Sequence, residues 1–316
     1  IAGGSAPDLI YVNFRVSDTY IQQKFLYPLD EFIEKDKEYK SVQNYVNSLP
    51  GPIRPVVYRE GPAVGKIPAG EHVWSLSSSI LVRALFWRED LFQEAGLDPE
   101  KPPKTWDELY EYAKRLSDPS KRKFGFSMSA GEQASWDFMA FLWSAGGDAV
   151  EKNKNGEWMA SFGSKEAAVA LDFYLKLAME KWEDPDKVSQ TGYTTRTASS
   201  SGSNIGDPWE EGRLGMTSRY LDDKMIGGGT DPALVGIAPF PSGPTGKSGT
   251  EVNSPMEGIF AGIEGRKNSD GIYVPAEKIR EAAWQYLRFM NSKEARAINA
   301  KLLVEMGMGR YMSPAW

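Results

Sequence analysis

The chain has 316 residues, which is more than one hydrophobic core usually serves, so two domains are expected. Its net charge of −6 disfavours nucleic-acid binding, which depends on neutralising phosphates. The lack of cysteine excludes disulfides, thiolate metal sites and cysteine nucleophiles, and the single histidine excludes multi-histidine metal sites. In contrast, 10 Trp, 14 Tyr and 14 Phe supply flat surfaces suited to stacking.

The first part of the chain is predicted to contain strands, helices and one long loop. Residues 8–12 form a short β-prone run after a Gly/Pro turn, which predicts a buried strand. Residues 17–49 have a helical pattern, and residues 73–87 have the pattern of an extended segment. Residues 50–72 are rich in Pro and Gly, which predicts a long surface loop, with a hairpin as the alternative.

A helix is predicted to begin after Thr105. Residues 105–108 have the spacing of a capping box, in which the Thr105 hydroxyl accepts the Glu108 amide and the Glu108 side chain reaches back. The helix is expected to run to about Leu116.

The central part is predicted to continue with a strand at 124–128, a helix at 133–145 and a hairpin turn at Asn155-Gly156. Residues 164–182 have the pattern of an amphipathic helix. The face of this helix that we expect to be buried carries Ala168, Leu171, Leu175, Ala178, Met179 and Trp182.

The last third begins with small polar residues at 189–206, which predict a mobile or a ligand-lining loop. Asp207-Pro208 has the pattern of a helix start, and strands are predicted at 214–218, 234–238 and 259–263. Two helices close the chain. The apolar face expected there carries Ile279, Ala282, Ala283, Tyr286, Leu287 and Met290. Strands that alternate with helices in this way predict an α/β fold with mostly parallel sheets.

Three familiar site patterns fail on inspection. Gly246-Lys247-Ser248 lacks the earlier glycine of a phosphate-binding loop, because Pro241 occupies that position. A calcium loop starting at Glu151 would need an acid where Phe162 stands. His72 could serve a Ser-His-Asp hydrolase only if a nucleophilic serine were present, and the Gly-x-Ser-x-Gly motif of such a serine is absent from the sequence. A carboxylate-pair glycosidase stays open, since the 43 acidic residues allow many pairs.

Eight segments, in order, carry a resemblance to a known family. Two of them read LFWREDLFQEAGL (85–97) and PPKTWDEL (102–109). The other six are residues 6–10, 26–30, 142–148, 209–216, 235–241 and 283–290. Together they resemble the extracellular solute-binding proteins of ABC importers, in the sugar-binding family that includes maltose-binding protein.

The resemblance implies an α/β, two-lobe periplasmic-binding-protein fold of type II, with lobes joined by crossing hinge strands that close on a ligand. It assigns residues 1–85 and 241–305 to the N-terminal lobe, and residues 86–240 and 306–316 to the C-terminal lobe. Against the family pattern, the first strand, helix and strand are missing, as are later C-terminal helices. We therefore expect the native chain to be longer at both ends, which would also account for the lack of a signal peptide.

The same resemblance implies a function. The protein is expected to capture a carbohydrate, in particular an oligosaccharide, between its lobes and to deliver it to the permease subunits of an ABC transporter. It is expected to be a monomer outside the cytoplasm, in the periplasm or lipid-anchored at the cell surface. No enzymatic activity, cofactor, metal or nucleic-acid partner is expected.

Sugars have polar edges and apolar C–H faces, so a binding site needs aromatic rings for the faces and hydrogen-bonding groups for the hydroxyls. From their places relative to the matching segments, ten residues are candidates for contacting the ligand. They are Phe14, Arg15, Ser77, Ser79, Trp136, Arg219, Tyr220, Glu257, Arg310 and Tyr311. The resemblance gives ring-stacking roles to Trp136 and Tyr220. Four other tryptophans match framework positions and are expected in the core, namely Trp87, Trp106, Trp182 and Trp284.

Alternatives remain at this stage. The ligand could be a non-sugar solute such as a polyamine, a peptide or a phosphate ester, and the protein could serve a sensor instead of a transporter. The arginines among the candidates, Arg15, Arg219 and Arg310, raise the hypothesis of an acidic sugar such as a uronate.

Overall fold

The computed structural model describes residues 6–129, 131, 134–197, 208–220 and 230–306. The chain divides into two compact units. Unit 1 takes its described residues from Ile1–Leu81 and Val252–Trp316, and unit 2 from Val82–Glu251. The lobe boundaries expected from the sequence, 85/86 and 240/241, lie four and eleven residues from the divisions at 81/82 and 251/252, and the lobe assignments stay a prediction. Residues 307–316 lie outside the described part of the chain.

Unit 1 contains six described helices and several short strands. The helices are α1 Ser17–Gln22, α2 Asp30–Lys35, α3 Val42–Ser48, α4 Arg54–Val57 and, late in the chain, α9 Ala276–Met290 and α10 Lys293–Glu305. The strands are β1 Leu9–Val12, β2 Leu26–Tyr27, β3 Tyr58–Gly61, β4 Gly70–Val73, β5 Leu76–Ser77, β15 Val252–Asn253, β16 Met256–Phe260, β17 Arg266–Lys267 and β18 Tyr273–Val274.

The sheet of unit 1 is built around β16, which pairs antiparallel with β1, β2 and β5. Helices cover it with apolar side chains, and Val12, Ile21, Ile33 and Leu287 of the resulting core are all 0% exposed. The strand predicted at 8–12 is confirmed. The hairpin considered for residues 50–72 is also confirmed, since β3 and β4 pair antiparallel with Tyr58 opposite Val73.

A charged contact ties α9 to the turn that follows α2. One carboxylate oxygen of Asp36 accepts the backbone amides of Glu38 and Tyr39 at 2.9 and 3.0 Å, and the other accepts Nε of Arg288 at 2.9 Å. Burial raises the pKa of Asp36, but the two amides and the guanidinium outweigh it, so the pKa lies below its ordinary value.

Asp36→Asn is expected to lower the free energy of unfolding by about 1–2 kcal/mol at pH 7, because a charge-assisted hydrogen bond is lost. A lowered pKa means that the stabilisation is present above the ordinary aspartate pKa and is lost as pH falls through the folded-state pKa. The gap between variant and wild type should therefore be smaller at pH 3 than at pH 7 in urea titrations. Asp98→Asn, at an exposed ion pair with Lys101, is the control and should change little. A gap of equal size at both pH values would contradict the prediction.

Unit 2 contains four helices among its described residues, α5 Glu89–Glu94, α6 Trp106–Leu116, α7 Ala134–Ser144 and α8 Lys165–Met179. Its strands are β6 Leu81–Arg88, β7 Phe124–Ser129, β8 Val150–Lys152, β9 Trp158–Ala160, β10 Lys181–Glu183, β11 Ser189–Thr191, β12 Thr194–Thr197, β13 Leu214–Tyr220 and β14 Val235–Ala238. β6 begins at the last residue of unit 1.

The main sheet of unit 2 has the order β12-β7-β13-β6-β14. β12 and β13 run parallel to β7, whereas β6 runs antiparallel to both β13 and β14. Four strands of this sheet, β12, β7, β13 and β14, therefore run in the same direction, and β6 runs against them. The expectation of mostly parallel sheets holds for this sheet but is wrong for unit 1, where the described strands pair antiparallel. Strand direction depends on how distant segments pair, and the local alternation of strands and helices does not encode it.

The capping box at the start of α6 is confirmed in its first half. Oγ1 of Thr105 accepts the amide of Glu108 at 3.2 Å, and the helix ends at Leu116. The Glu108 carboxylate reaches back one residue further than expected, to the amide of Lys104 at 2.6 Å. The helix packs tightly on β7, since a Cβ on Gly125 would lie 2.0 Å from the carbonyl oxygen of Ala113.

The prediction of which face of α8 is buried is wrong. The buried residues are Ala167, Ala170 and Leu177. Leu171, Leu175 and Met179 of the predicted face are 46%, 45% and 55% exposed. The helix carries apolar residues on more than one face, so periodicity cannot tell which face packs.

Two smaller expectations also fail. On α9, Ile279, Ala283 and Leu287 are buried as predicted, but Tyr286 and Met290 are 52% and 43% exposed. The helix predicted at Asp207-Pro208 is absent from the described residues 208–212, which form turns. Over the described part of the chain, no helix has both the length and the apolar character that a membrane span requires.

Candidate functional site

The carboxyl ends of three parallel strands meet at one edge of the sheet in unit 2. β7, β12 and β13 end at this edge, and the antiparallel β6 begins there. Ligands of open α/β sheets gather at such edges, because loops and helix starts there bring side chains from several strands together. α7, which follows β7 in the chain, carries Trp136 and Asp137 in its first turn.

Two of the predicted stacking residues meet at this edge. The rings of Trp136 and Tyr220 are 6.1 Å apart between centroids and lie at 85° to each other, a T-shaped pair. Both side chains are half-buried. Tyr220 is the last residue of β13, and Arg219, also half-buried, precedes it. The structure brings Trp136 and Tyr220 together. Arg219 adjoins Tyr220 on β13, where successive side chains point to opposite faces of the sheet, so its contact with a ligand stays a prediction.

The two rings rest on a buried polar layer. Arg83 of β6 donates to the Asp137 carboxylate and to the carbonyl oxygen of Ser218. The other carboxylate oxygen of Asp137 accepts the amide of Ser129 at 2.8 Å. Burial raises the pKa of Tyr174, whose hydroxyl donates to the Ser129 carbonyl at 3.2 Å, and the Asp137 charge raises it further.

Sequence reasoning missed Arg83 and Asp137. A signal was present, because Arg83 interrupts the apolar run at 80–87, and a charged residue in a buried strand implies a buried partner.

Unit 1 has a corresponding edge. β1 and β5 end there and β16 begins there, since Val12 and Ser77 both lie opposite Met256. Ser77 is 6% exposed. Its hydroxyl lies 2.7 Å from the hydroxyl of Ser254, and its amide donates to the Tyr45 hydroxyl at 3.1 Å. These bonds favour a structural role for Ser77, joining two segments of unit 1.

The other candidates of unit 1 lie at or near the same edge. Phe14 packs partly against the core, and Arg15 is exposed in the turn after β1. Ser79 is half-buried just beyond β5, and Glu257 is half-buried near the start of β16. Their contact with a ligand stays a prediction. Arg310 and Tyr311 lie outside the described residues.

The prediction that the four framework tryptophans lie in the core is largely confirmed. Trp87, Trp106 and Trp284 are 5%, 5% and 9% exposed, and Trp182 is half-buried with its ring stacked on Tyr193. Trp158, in contrast, is 67% exposed.

The single histidine lies within unit 1. His72 belongs to β4, and its Nε2 lies 3.0 Å from the carbonyl oxygen of Pro68. Its Nδ1 lies 3.4 Å from the carboxylate of Asp30, whose pKa burial raises. Among the described residues, no three or more His, Asp or Glu side chains gather as a metal site would require.

Comparison with curated proteins finds relatives along most of the chain. A binding protein of Brucella abortus (strain 2308) is 25% identical over 305 residues, which cover 94% of this chain and 61% of the relative. The mannitol-binding protein of Pseudomonas aeruginosa is 32% identical over 115 residues, covering 36% of this chain and 25% of the relative. The chain therefore spans about six-tenths of the Brucella relative that it matches almost throughout.

A solved structure also shares the fold. The ABC transporter solute-binding protein of Thermotoga lettingae, bound with alpha-D-tagatose, superposes with a TM-score of 0.69 at 20% identity, covering 97% of this chain and 67% of that one. This likeness confirms the α/β, two-lobe periplasmic-binding-protein fold of type II. The family described as bacterial extracellular solute-binding protein matches residues 1–297. The chain belongs to this family of solute-binding proteins.

Proposed function

We propose that this chain captures a carbohydrate outside the cytoplasm and delivers it to the permease of an ABC transporter. Members of its family are transport binding proteins, and the family implies an extracytoplasmic location. The observation that carries the choice of a carbohydrate is the Trp136–Tyr220 pair at the carboxyl edge of the sheet in unit 2. Two half-buried rings at right angles offer a sugar one ring face and one ring edge.

The proposed ligand class follows from the chemistry at the two edges. Aromatic rings suit the C–H faces of a sugar, and arginine, serine and carboxylate groups suit its hydroxyls. The polar groups proposed for this task are Arg15, Ser79, Arg219 and Glu257. The ligands of two similar proteins, a ketose sugar and a sugar alcohol, support this class.

We propose the remaining features with family membership as their support. The protein acts by binding, without covalent chemistry and without a cofactor, so it is not an enzyme. It works as a monomer in the periplasm or lipid-anchored at the cell surface, and its protein partners are membrane permease subunits. A ligand of this kind shifts the protein between conformations only by binding one of them more tightly.

A thermal-shift screen tests the carbohydrate assignment. The panel contains D-mannitol, D-tagatose, maltose and maltotriose as neutral compounds, galacturonate oligomers as acidic sugars, and spermidine and glycerol phosphate as non-sugars. A ligand at a hundred-fold excess over its Kd adds about 2.7 kcal/mol of stability, so at least one neutral carbohydrate should raise Tm by several degrees. A shift with spermidine or glycerol phosphate alone would overturn the carbohydrate proposal.

Two further outcomes of the screen are informative. A larger shift with galacturonate oligomers than with maltotriose would support an acidic sugar as the ligand, with Arg15 or Arg219 as the proposed partner of its carboxylate. Incubation with the same oligosaccharides, followed by chromatography, should return them intact. Cleaved products would replace the binding proposal with a carboxylate-pair glycosidase.

A further inference from the structure

A buried ion pair lies directly beside the aromatic pair in unit 2. Arg83 donates from Nη2 to the carboxylate of Asp137, and the two side chains are only 7% and 8% exposed. Removing two charges from water costs several kcal/mol per ion, and apolar replacements are often equally stable. Stability alone is therefore a weak reason for this pair to occupy the edge of the sheet.

The contacts of Arg83 lead to the first ring. The same Nη2 donates to the carbonyl oxygen of Ser218, two residues before Tyr220 on β13. The guanidinium carbon lies 5.6 Å from the centroid of the Tyr220 ring, within the range of a cation–π contact. Arg83 thus fixes both the backbone that carries Tyr220 and the ring itself.

The contacts of Asp137 lead to the second ring. Asp137 directly follows Trp136 in the first turn of α7, and it accepts the amide of Ser129 at the end of β7 at 2.8 Å. The carboxylate therefore holds the start of α7 against the strand end. Through the ion pair, the placement of Trp136 depends on β6, β7 and β13 together.

The network is incomplete as a stabilising device. Nε of Arg83 and Oγ of Ser218 are buried without a hydrogen-bond partner among the described residues. Native proteins satisfy almost all buried polar atoms, and an exception calls for an explanation. Here the guanidinium contacts Asp137 and the Tyr220 ring in a position that leaves its own Nε without an acceptor among the described residues.

Unit 2 contains a matched pair for comparison. Arg88, at the other end of β6, donates from Nε and Nη2 to the Asp90 carboxylate at 2.9 and 2.7 Å, and from Nη1 to the carbonyl oxygen of Trp209 at 3.0 Å. Its side chain is 9% exposed. The rise of a strand puts the Cα atoms of Arg88 and Arg83 about 17 Å apart. In both pairs an arginine of β6 binds an aspartate, but the two arginines lie at opposite edges of the sheet.

We propose that Arg83 and Asp137 are positioning residues that hold the rings of Trp136 and Tyr220 in the mutual orientation on which the sugar stacks. Neither residue contacts the sugar. The part of this inference that concerns affinity rests on the proposed carbohydrate site, whereas the orientation of the rings is measurable without any ligand.

The test compares the double variant R83Q/D137N with the control R88Q/D90N. Each removes an ion pair of a buried arginine of β6 without leaving a lone charge, although Asp90 of the control is 36% exposed whereas Asp137 is 8% exposed. The first readout is near-UV circular dichroism of the ligand-free proteins, repeated in a W136F background. The R83Q/D137N spectrum should change, the change should be largely lost in the W136F background, and R88Q/D90N should leave the spectrum as it is.

The second readout is calorimetric affinity for D-mannitol, D-tagatose and maltose. R83Q/D137N should weaken the binding of whichever of these the wild type binds by about ten-fold, the size of a typical coupling between contacting residues. R88Q/D90N should stay within about two-fold. R83K, which keeps the charge, should have an affinity between those of the wild type and of R83Q/D137N. It serves as the test if R83Q/D137N does not fold.

The outcomes separate this inference from the proposed function. A wild type that binds none of the three sugars would contradict the carbohydrate proposal, and the spectra would still decide the inference. Spectra that change equally in both double variants, or in neither, would overturn the positioning role. Equal losses of affinity in R83Q/D137N and R88Q/D90N would also overturn it, because a general loss of stability would then explain both.

Discussion

Trp136→Ala is expected to weaken carbohydrate binding by about 2 kcal/mol, or about thirty-fold in Kd. The substitution removes the larger ring of the T-shaped pair with Tyr220 and with it the surface on which a sugar C–H face would stack. Trp136→Phe keeps part of this surface and should lose less of the affinity. Isothermal titration with the sugar that gives the largest thermal shift measures the effect.

Trp158→Ala supplies the matched control in the same unit. Trp158 is 67% exposed on β9 and its ring contacts the Lys152 ammonium at 5.0 Å. It lies on a separate two-stranded hairpin with β8, outside the main sheet. Its removal should leave the affinity unchanged. If Trp158→Ala weakened binding as much as Trp136→Ala, the sugar would not be bound at the carboxyl edge.

Much of the local structure was predictable because local chemistry decides it. The Thr105 cap, the strand at Leu9–Val12 and the turn at Asn155-Gly156 each depend on a few neighbouring residues. Gly156 has φ of 82°, a left-handed conformation that glycine adopts without strain. These elements are found where the sequence predicts them.

Other features depend on distant parts of the chain and were not predictable. The exposed Leu171 and Leu175 and the buried Ala170 and Leu177 all lie on α8, and the choice between faces is made by what packs against the helix. The same reasoning applies to the antiparallel pairing of β6 with β13, since a strand has the same pattern in either direction.

The candidate site likewise has one part that was predictable and one part that was not. Trp136 and Tyr220 were predicted from the family resemblance, and the structure places them in contact. The ion pair beside them joins residues 54 positions apart, and only the fold brings them together. The charge of Arg83 in an apolar run could have indicated a buried partner, but nothing in the sequence says that Asp137 is that partner.

The largest expected loss of stability follows from Trp74→Ala. Trp74 is 1% exposed in the core of unit 1, and its Nε1 donates to the carbonyl oxygen of Arg59 at 2.9 Å. The hairpin lies directly on the ring, since a Cβ on Gly61 would come within 2.2 Å of it. Truncating such a buried ring leaves a cavity and an unpaired carbonyl, at a cost of about 3–5 kcal/mol in the free energy of unfolding.

Trp74→Phe separates the two causes. It keeps most of the ring but loses the hydrogen bond to Arg59, so a loss of about 1–2 kcal/mol is expected, and Trp158→Ala should change stability by less than about 0.5 kcal/mol. Urea unfolding gives these values, and a loss below about 1 kcal/mol for Trp74→Ala would contradict the cavity argument. β5 begins two residues after Trp74, so Trp74→Ala is expected to take up deuterium faster than wild type at residues 76–79. This core side chain would then also set how firmly unit 1 holds the end of β5, where Ser77 and Ser79 lie.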